Sequence, residues 1–380
     1  MFYLCSVIFV IYSCFFVYLC TGIHKNSHKV KTQSRQPETS VSIVLAVKDE
    51  EQAIVRCLRC LLDQNYPKEL LEIIVVDDGS RDATFSIIKK IAEQTDILFP
   101  LKNDSHPFSS TKKSALASGI RQAKGTLILL TDGDCFPPTT WVRSIVSLYQ
   151  EQTALVAGFS PQGAQTSKLW DRFLFIDSLA AAFVAAGTIG HHHGVTCTGR
   201  NLSYNKTIFA STGGFGALPD SLSGDDDFVL QHISRQKRWQ TVYAFSPESC
   251  TPAKGPENFP RFIKQKQRHL SAGRHFTPRQ QLAFGGYHLF NYFLWIVGLG
   301  GIAFDVRYLF LLPAKLAIDW FSLYYFATRL GTQIRFFPFL FWQVLFPVYN
   351  IISAPVAFFG QIRWRTPRDE TLHDRVTGRL

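Results

Sequence analysis

Two short apolar runs, each leading into a pair of aspartates, constrain the fold of this chain more than any other feature. The first run is followed by Asp77 and Asp78. The second is followed by Asp132 and Asp134. Short aliphatic runs bounded by turn residues are typical of buried parallel strands. Because ligands bind outside the carboxyl ends of the strands in open α/β sheets, both aspartate pairs are expected to face one crevice.

Strand and helix patterns alternate through the middle of the chain. The predicted strands are 41–47, 72–76, 97–101, 126–130 and 153–159, and the predicted helices between them are 50–63, 82–95, 111–123 and 138–150. This alternation predicts a Rossmann-like α/β domain with a mostly parallel sheet and helices on both faces. Further helices are expected over 165–190, which is rich in small residues, and over 226–237.

Long segments without a charged residue lie at both ends of the chain. They are 1–23, 281–304 and 336–362. Each is long enough to cross a hydrocarbon core of about 30 Å. A further apolar stretch, 308–328, contains only Lys315 and Asp319 as charges, which are spaced to pair on one helix face. We therefore expect an integral membrane protein with a water-soluble middle, and the buried pair is either a functional site or an interhelical anchor.

Charge placement gives an expected topology. The first apolar segment lacks a basic start and a small-residue cleavage site, so it is interpreted as an uncleaved anchor rather than a signal peptide. Basic residues follow it, which puts 24–280 in the cytoplasm, most simply at a bacterial inner or plasma membrane. Pro338, Pro347 and Pro355 favour a re-entrant or interfacial course for 336–360.

The expected organisation has six parts. They are a transmembrane anchor (1–23), a basic polar linker (24–40), a cytoplasmic α/β domain (41–256), amphipathic interface helices (257–280), two or three membrane segments (281–362) and a basic tail (363–380). The net charge of +11 arises mainly near the apolar segments. Membrane lipids are therefore the expected partner of this charge, and nucleic acid is not.

The cysteines and histidines allow two interpretations each. Cys57 and Cys60 are either small core residues on an amphipathic helix or a redox or zinc pair. The run 191–193 contains three histidines beside glycine, which fits a loop better than a metal site. All 8 cysteines are expected to be reduced thiols in a cytosol-facing protein.

The second aspartate pair has the chemistry of a cation site. Asp132 and Asp134 flank Gly133, and two carboxylates so placed grip a hard cation such as Mg²⁺ or Mn²⁺ that also holds phosphate oxygens. A polar turn is the simpler alternative. No glycine-rich loop follows the first strand, where Lys48 and Asp49 stand instead, so a dinucleotide oxidoreductase is not expected.

Ordered motifs over about 41–275 resemble family 2 glycosyltransferases of the GT-A fold. The matching segments are 48–51, 64–67, 75–80, 112–116, 132–134, 199–215, 224–228 and 265–269. His269 stands where Trp is usual in the Gln-x-x-Arg-Trp motif of membrane-bound members, and Gly224 stands where Glu is common. Processive polymer synthesis is therefore not implied.

The resemblance implies a role for each matching residue. Asp78, with Asp77 as the second choice, binds the base or ribose of the nucleotide, and Lys112 lies beside it. Asp134 ligates the metal, and Asp132 contacts ribose or metal-bound water. Asp225 is the catalytic base, with Asp226 second, because the family places an apolar residue such as Phe228 three positions later. Gln265 and Arg268 neutralise the diphosphate and hold the acceptor channel.

The implied activity is transfer of a sugar from a UDP- or GDP-sugar to a lipid-linked or cell-envelope saccharide. One carboxylate base opposite the leaving group implies inversion at the anomeric carbon. Two alternatives remain open. One is transfer to polyprenyl phosphate, which needs no base, and the other is a non-catalytic subunit that only binds nucleotide sugar.

Overall fold

The computed structural model describes residues 2–29, 39–104, 107–163, 168–303 and 305–360. Seven strands form one sheet in the order β3-β2-β1-β4-β6-β5-β7. The strands are β1 (Val41–Val47), β2 (Leu71–Asp77), β3 (Leu98–Lys102), β4 (Leu127–Leu130), β5 (Thr153–Gly158), β6 (Leu202–Asn205) and β7 (Gln240–Ala244). Only β6 runs antiparallel to its neighbours, β4 and β5, so the mostly parallel α/β sheet is confirmed.

Helices cover both faces of the sheet and occupy both ends of the chain. They are α1 (Phe2–Lys29), α2 (Ile54–Leu62), α3 (Thr84–Ala92), α4 (Thr111–Gln122), α5 (Trp141–Val146), α6 (Leu169–Gly190), α7 (Lys206–Ser211), α8 (Asp225–Arg235), α9 (Phe259–Ser271), α10 (Pro278–Gly300), α11 (Leu311–Arg329) and α12 (Phe336–Phe359). Alternate residues of a strand point to opposite faces. Accordingly Val44 packs into one core and Ile43 and Leu45 into the other.

Two strands were not predicted from the sequence. β6 and β7 are only four and five residues long, and they contain polar residues such as Ser203 and Thr241. Ser203 is tolerated inside the sheet because its hydroxyl donates to the Val156 carbonyl (3.2 Å) and accepts from the Tyr149 hydroxyl (2.9 Å). Short strands that contain polar residues carry only a weak apolar signal, so the prediction missed them.

Five helices of the described chain are long and apolar enough to cross a membrane, judged by length and composition. They are Tyr3–Ser27, Leu169–Gly190, Pro278–Gly300, Val306–Arg329 and Phe336–Phe359. The second of these was predicted as a helix but not as a candidate span. It is also the most enclosed, because 67% of its most apolar window is buried inside the protein.

The terminal helices differ from expectation at two points. α1 continues to Lys29, beyond the expected end of the anchor at residue 23, while 30–38 and the expected tail 363–380 lie outside the described residues. α12 is one continuous helix with Pro347 and Pro355 inside it. Re-entry requires the chain to reverse direction, which this continuous helix does not do, whereas the interfacial course for 336–360 stays a prediction.

Lys315 and Asp319 pair at 2.8 Å between Nζ and Oδ2 and are both buried. Asp319 also accepts hydrogen bonds from the Tyr12 hydroxyl (2.8 Å) and the Gln343 amide (2.7 Å). The Lys315 ammonium donates to Gln343 Oε1 at 2.6 Å. This buried polar cluster joins α1, α11 and α12, which favours the interpretation as an interhelical anchor.

Candidate active site

The two predicted aspartate pairs lie at the same edge of the sheet. Asp77 ends β2 opposite Val47 of β1, and β4 lies on the other side of β1. Two strand spacings of about 4.8 Å separate β2 from β4. The order of strands reverses between β1 and β4, and such a reversal opens a crevice at the carboxyl ends of the strands.

Asp77 and Asp78 form a buried polar corner. Asp78 Oδ1 accepts a hydrogen bond from the Asn103 amide nitrogen at 2.7 Å, and the Asp78 N–H donates to the Val47 carbonyl at 2.8 Å. Asp77 Oδ2 accepts from the Ser80 N–H at 3.3 Å. Asp77 Oδ1 is buried without a hydrogen-bond partner among the described residues. A buried orphan acceptor is costly, and it fits a ligand that donates a hydrogen bond, such as a base N–H or a ribose hydroxyl.

Asp132 and Lys112 are paired across the crevice. The Lys112 Nζ lies 2.6 Å from Asp132 Oδ1, and both side chains are partly exposed. Partial burial acts to raise the pKa of Asp132, but Lys112 and then Arg200 and Arg268 outweigh it and hold that pKa below its ordinary value. The pKa of Lys112 is raised in turn, because Asp132 outweighs the effect of burial.

Asp134 is the less neutralised of the two carboxylates. Burial, reinforced by the charge of Asp132, raises the pKa of Asp134, while Arg200 acts in the opposite direction. No group of three His, Cys, Asp or Glu side chains in the described chain is arranged to hold a metal ion alone. A divalent cation nevertheless fits beside Asp134, because a cation would offset the cost of its negative charge. The remaining ligands would be substrate oxygens and water.

The third acidic segment meets the first turn of α4. Asp225 begins α8, and its Oδ2 accepts a hydrogen bond from the Ser110 hydroxyl at 3.4 Å. Its Oδ1 lies 3.4 Å from the Nζ of Lys113. Since Lys112 holds Asp132, consecutive lysines of one helical turn bring two distant acidic segments together.

Lys113 was not predicted as a site residue. Its side chain is completely buried, donates to the Pro219 carbonyl at 2.9 Å and lies 4.9 Å from the centre of the Phe108 ring. The side chains of Lys112 and Lys113 leave the helix in directions about 100° apart, so they reach different partners. The only sequence signal was a second lysine beside the one that matches the family motif.

The electrostatic environment of Asp225 suits a base. Burial raises the pKa of Asp225 to about 6, although the Lys113 ammonium opposes the shift. The neighbouring Asp226 contributes in the same direction as burial. At neutral pH the carboxylate is therefore mostly ionised, and its pKa is close enough to neutral pH for it to accept a proton efficiently.

Asp226 and Asp227 have different surroundings from Asp225. Asp226 Oδ2 accepts a hydrogen bond from the Gly199 N–H at 2.6 Å, and Asp227 Oδ1 accepts from the Cys197 N–H at 2.9 Å. A Cβ added at Gly199 would lie 3.6 Å from the Asp226 carboxylate. These two aspartates fasten the loop before β6, whereas Asp225 contacts the charged start of α4.

Helix α9 brings the predicted basic motif to the site. The charge of Arg268 helps Lys112 and Arg200 to lower the pKa of Asp132. Gln265 lies one turn earlier in α9, and its side chain makes no hydrogen bond to another side chain of the described chain. The structure therefore joins Arg268 to the acidic cluster and leaves Gln265 without a demonstrated contact.

Arg200 is a further cation that the sequence prediction did not single out. It lowers the pKa of both Asp132 and Asp134, so its guanidinium lies near both carboxylates. One nitrogen donates to the Ser160 carbonyl at 3.5 Å, and the buried Nε has no partner among the described residues. Its position within the 199–215 motif was the only available signal.

The histidine run fastens α1 rather than forming a metal group. His191 stacks on Tyr18 with 4.0 Å between ring centres, and its Nε2 lies 2.8 Å from the Tyr18 carbonyl oxygen. Thr21 Oγ1 lies 3.2 Å from the same nitrogen. The loop interpretation therefore accounts for His191 through contacts with α1.

Residues 42–214 match the model of the family described as Glycosyl transferase family 2. A relative from Haloferax volcanii, "Glycosyltransferase AglE", is 32% identical over 138 residues, which are 35% of this chain and 44% of that protein. A Methanococcus voltae relative is named "Dolichyl N-acetyl-alpha-D-glucosaminyl phosphate 3-beta-D-2,3-diacetamido-2,3-dideoxy-beta-D-glucuronosyltransferase". It is 27% identical over 112 residues, 29% of this chain and 34% of that protein. The chain thus spans less than half the length of either relative.

The structure resembles that of the mannosyltransferase PcManGT from Pyrobaculum calidifontis, which was solved in complex with GDP-Man and Mn²⁺. The TM-score is 0.58 at 17% sequence identity, and the likeness covers 94% of this chain and 99% of the other. At this identity the likeness concerns the fold, and it confirms the predicted GT-A class.

Proposed function

We propose that this chain transfers a sugar, with inversion, from a nucleotide-diphosphate sugar to a saccharide acceptor at a membrane, and the match of residues 42–214 to Glycosyl transferase family 2 supports this. One observation carries the proposal. Lys112 and Lys113, in the first turn of α4, bind Asp132 and Asp225 respectively, so acidic residues from distant parts of the chain line one crevice.

The donor is proposed to lie along the carboxyl ends of β2, β1 and β4. Asp77 and Asp78 would receive the base or ribose through their acceptor oxygens. Asp134, with Asp132 beside it, would hold Mg²⁺ or Mn²⁺, which when bound neutralises charge on the diphosphate. A UDP- or GDP-sugar is the proposed donor class, and the GDP-Man and Mn²⁺ bound in the mannosyltransferase structure are consistent with it.

Asp225 is proposed to take the proton from the acceptor hydroxyl. Its pKa of about 6 leaves it ionised at neutral pH, and Ser110 and Lys113 fix the position of its carboxylate. Arg268 and Arg200 would meet the negative charge that develops on the departing diphosphate. A base on the face opposite the leaving group produces inversion in a single displacement.

The acceptor is proposed to be a lipid-linked or cell-envelope saccharide. Five helices of the described chain are candidate spans, and α9 with its Arg268 precedes one of them directly. The Methanococcus voltae relative is named for a dolichyl-linked sugar phosphate acceptor. We propose that the α/β domain lies on the cytoplasmic side of a plasma membrane, because Lys25 and Lys29 follow the first apolar segment.

The test is a panel of nucleotide sugars offered to membranes that carry the protein, with release of nucleotide diphosphate as the readout. We expect one donor to be consumed in the presence of Mn²⁺ or Mg²⁺, and Asp225→Asn to lower turnover at least a hundredfold. Asp96→Asn, which changes an exposed carboxylate outside the predicted site motifs, is the matched control.

Each alternative predicts a different result in the same assay. Full turnover by Asp225→Asn would contradict the base assignment and favour an acceptor that is already ionised, such as polyprenyl phosphate. Binding of a nucleotide sugar without hydrolysis or transfer would favour a non-catalytic subunit.

A further inference from the structure

A groove of about 580 Å³ lies between α1 and α11, outside the candidate active site. Its walls include Phe16 and Val17 of α1 and Ile318 and Phe321 of α11. Val17 is 61% exposed and Phe321 is 66% exposed, so the groove opens to the outside of the helical bundle. An apolar groove of this kind requires an apolar occupant.

The two helices run in the same direction along the groove. Near their beginnings, Cys5 and Tyr308 share an apolar cluster, and further along the Tyr12 hydroxyl donates to Asp319. At the far end, Lys25 and Tyr325 line the groove together. The carboxyl-terminal ends of α1 and α11 therefore lie side by side.

Positive charge is concentrated at this far end. Lys25 is exposed at the groove, and the Arg329 guanidinium lies 5.1 Å from the centre of the Tyr325 ring that lines it. The same end adjoins the α/β domain, because the Asn26 amide donates to the Tyr243 carbonyl of β7 at 3.4 Å. The groove is thus apolar along its length and basic only where the helices meet the domain.

We propose that this groove binds one anionic glycerophospholipid, with an acyl chain along the apolar walls and the phosphate at Lys25 and Arg329. The inference rests on the membrane-bound part of the proposed function. The groove runs from Ser13 to Lys25, about 18 Å at the helical rise of 1.5 Å per residue. That length is close to half of a hydrocarbon core of about 30 Å, so the occupant belongs to a single leaflet.

The proposed lipid site is separate from the proposed donor site. The basic end of the groove adjoins β7, which is the outermost strand on its side of the sheet. The candidate site lies at the ends of β2, β1 and β4, and β7 is three strand spacings, about 14 Å, from β4. A phosphate held at Lys25 therefore lies to the side of the ends of β2, β1 and β4, and the lipid acts as a bound component of the protein.

The test uses the full chain purified in mild detergent, with native mass spectrometry as the readout. Dioleoylphosphatidylglycerol and dioleoylphosphatidylcholine are offered in equal amounts. We expect one phosphatidylglycerol per chain to be retained in preference, and Lys25→Gln and Arg329→Gln each to reduce the preference by about fivefold. Arg307→Gln removes an exposed cation before α11 begins, near the opposite end of the helix and outside the groove, and is the matched control.

Three outcomes would overturn the proposal. They are equal retention of the two lipids by the unaltered chain, an undiminished preference in the Lys25→Gln Arg329→Gln double variant, and an equal loss in Arg307→Gln. Displacement of phosphatidylglycerol by polyprenyl phosphate at the same site would instead identify a lipid acceptor as the occupant and reject a phospholipid. A chain that stays soluble without detergent contradicts the membrane-bound part of the proposed function, whereas an inserted chain without lipid preference contradicts only the lipid site.

Discussion

At the scale of single residues, Asp225 connects the geometry of the site to its expected pH dependence. Its pKa of about 6 is raised chiefly by burial, and the carboxylate must be ionised to accept a proton. We expect kcat/KM to fall about tenfold for each pH unit below 6 and to level off above pH 7. A pH–rate profile measures this, and a profile flat down to pH 5 would exclude Asp225 as the base.

The same raised pKa has a consequence for stability. Because the folded protein binds the proton of Asp225 more tightly than the unfolded chain, stability falls as the pH rises from the ordinary carboxyl range to about 6, and above pH 6 the full cost of the ionised carboxylate is present. Asn cannot ionise, so Asp225→Asn should not lower Tm at pH 7.5. Loss of turnover without loss of Tm separates a catalytic defect from a folding defect.

Lys113 provides a second prediction, because it holds the Asp225 carboxylate at 3.4 Å. Lys113→Met removes the cation that opposes the raised pKa, so the acidic limb of the pH profile should move up by about one pH unit or more. Arg121→Met removes an exposed cation from the last turn of the same helix and should leave the profile unchanged. If Lys113→Met cannot be purified folded, Ser110→Ala tests the other contact with Asp225. An unchanged profile in a folded variant would exclude this positioning role.

At the scale of helices, Asp177 of α6 holds α9 and α12 together. Its carboxylate pairs with Lys266 of α9 and accepts hydrogen bonds from Tyr349 (2.5 Å) and Trp342 (3.4 Å) of α12. Lys266 is two residues before Arg268 in α9, so this junction determines where the site arginine lies. The contact therefore links an apolar terminal helix to the crevice.

We expect Asp177→Asn to lower kcat about tenfold or more while changing KM for the donor less, because the proposed role of Arg268 is to act on the departing group rather than on ground-state binding. Ser178→Ala is the control, because the Ser178 hydroxyl bonds within α6 and to the Gln162 N–H but not to α9 or α12. Partial rescue by Asp177→Glu would support an electrostatic junction. An equal loss of kcat in the control would indicate general loosening of α6.

The elements show how far the sequence was informative. β1, β2 and β4 each contain a run of aliphatic residues that is long enough to predict a buried strand. The aspartates at the ends of β2 and β4 were predicted to lie at one edge of the sheet because these strands were predicted to be parallel. β6 and β7 were missed because they are short and contain polar residues, and the burial of one of them, Ser203, depends on a distant partner, Tyr149. For the same reason Lys113 and Arg200 were missed, since their partners come from loops whose course no local pattern specifies.

At the scale of the whole molecule, the cluster of Tyr12, Lys315, Asp319 and Gln343 joins three of the terminal helices. All four side chains are buried, and the Lys315 ammonium also lies 5.3 Å from the centre of the Trp295 ring of α10. Lys315→Met leaves Asp319 buried without its cation, and this should cost about 3–5 kcal/mol of unfolding free energy.

The paired change Lys315→Met Asp319→Leu should be less destabilising than Lys315→Met alone, because it removes both charges together. Thermal or denaturant unfolding in detergent measures the difference. A double variant that is less stable than Lys315→Met would show that the ion pair itself contributes more than its removal from water costs.

The contact between α1 and α6 has a practical consequence for producing this protein. A Cβ on Gly22 would lie 2.0 Å from the Gly187 carbonyl oxygen, and Phe16 stacks on Phe183 with 5.9 Å between ring centres. The first helix is thus packed closely against the rest of the protein and does more than attach it to a membrane. Deleting it to obtain a water-soluble catalytic fragment would uncover a strip of aromatic and aliphatic side chains along α6, and such a fragment would have to be redesigned on that face before it stayed in solution.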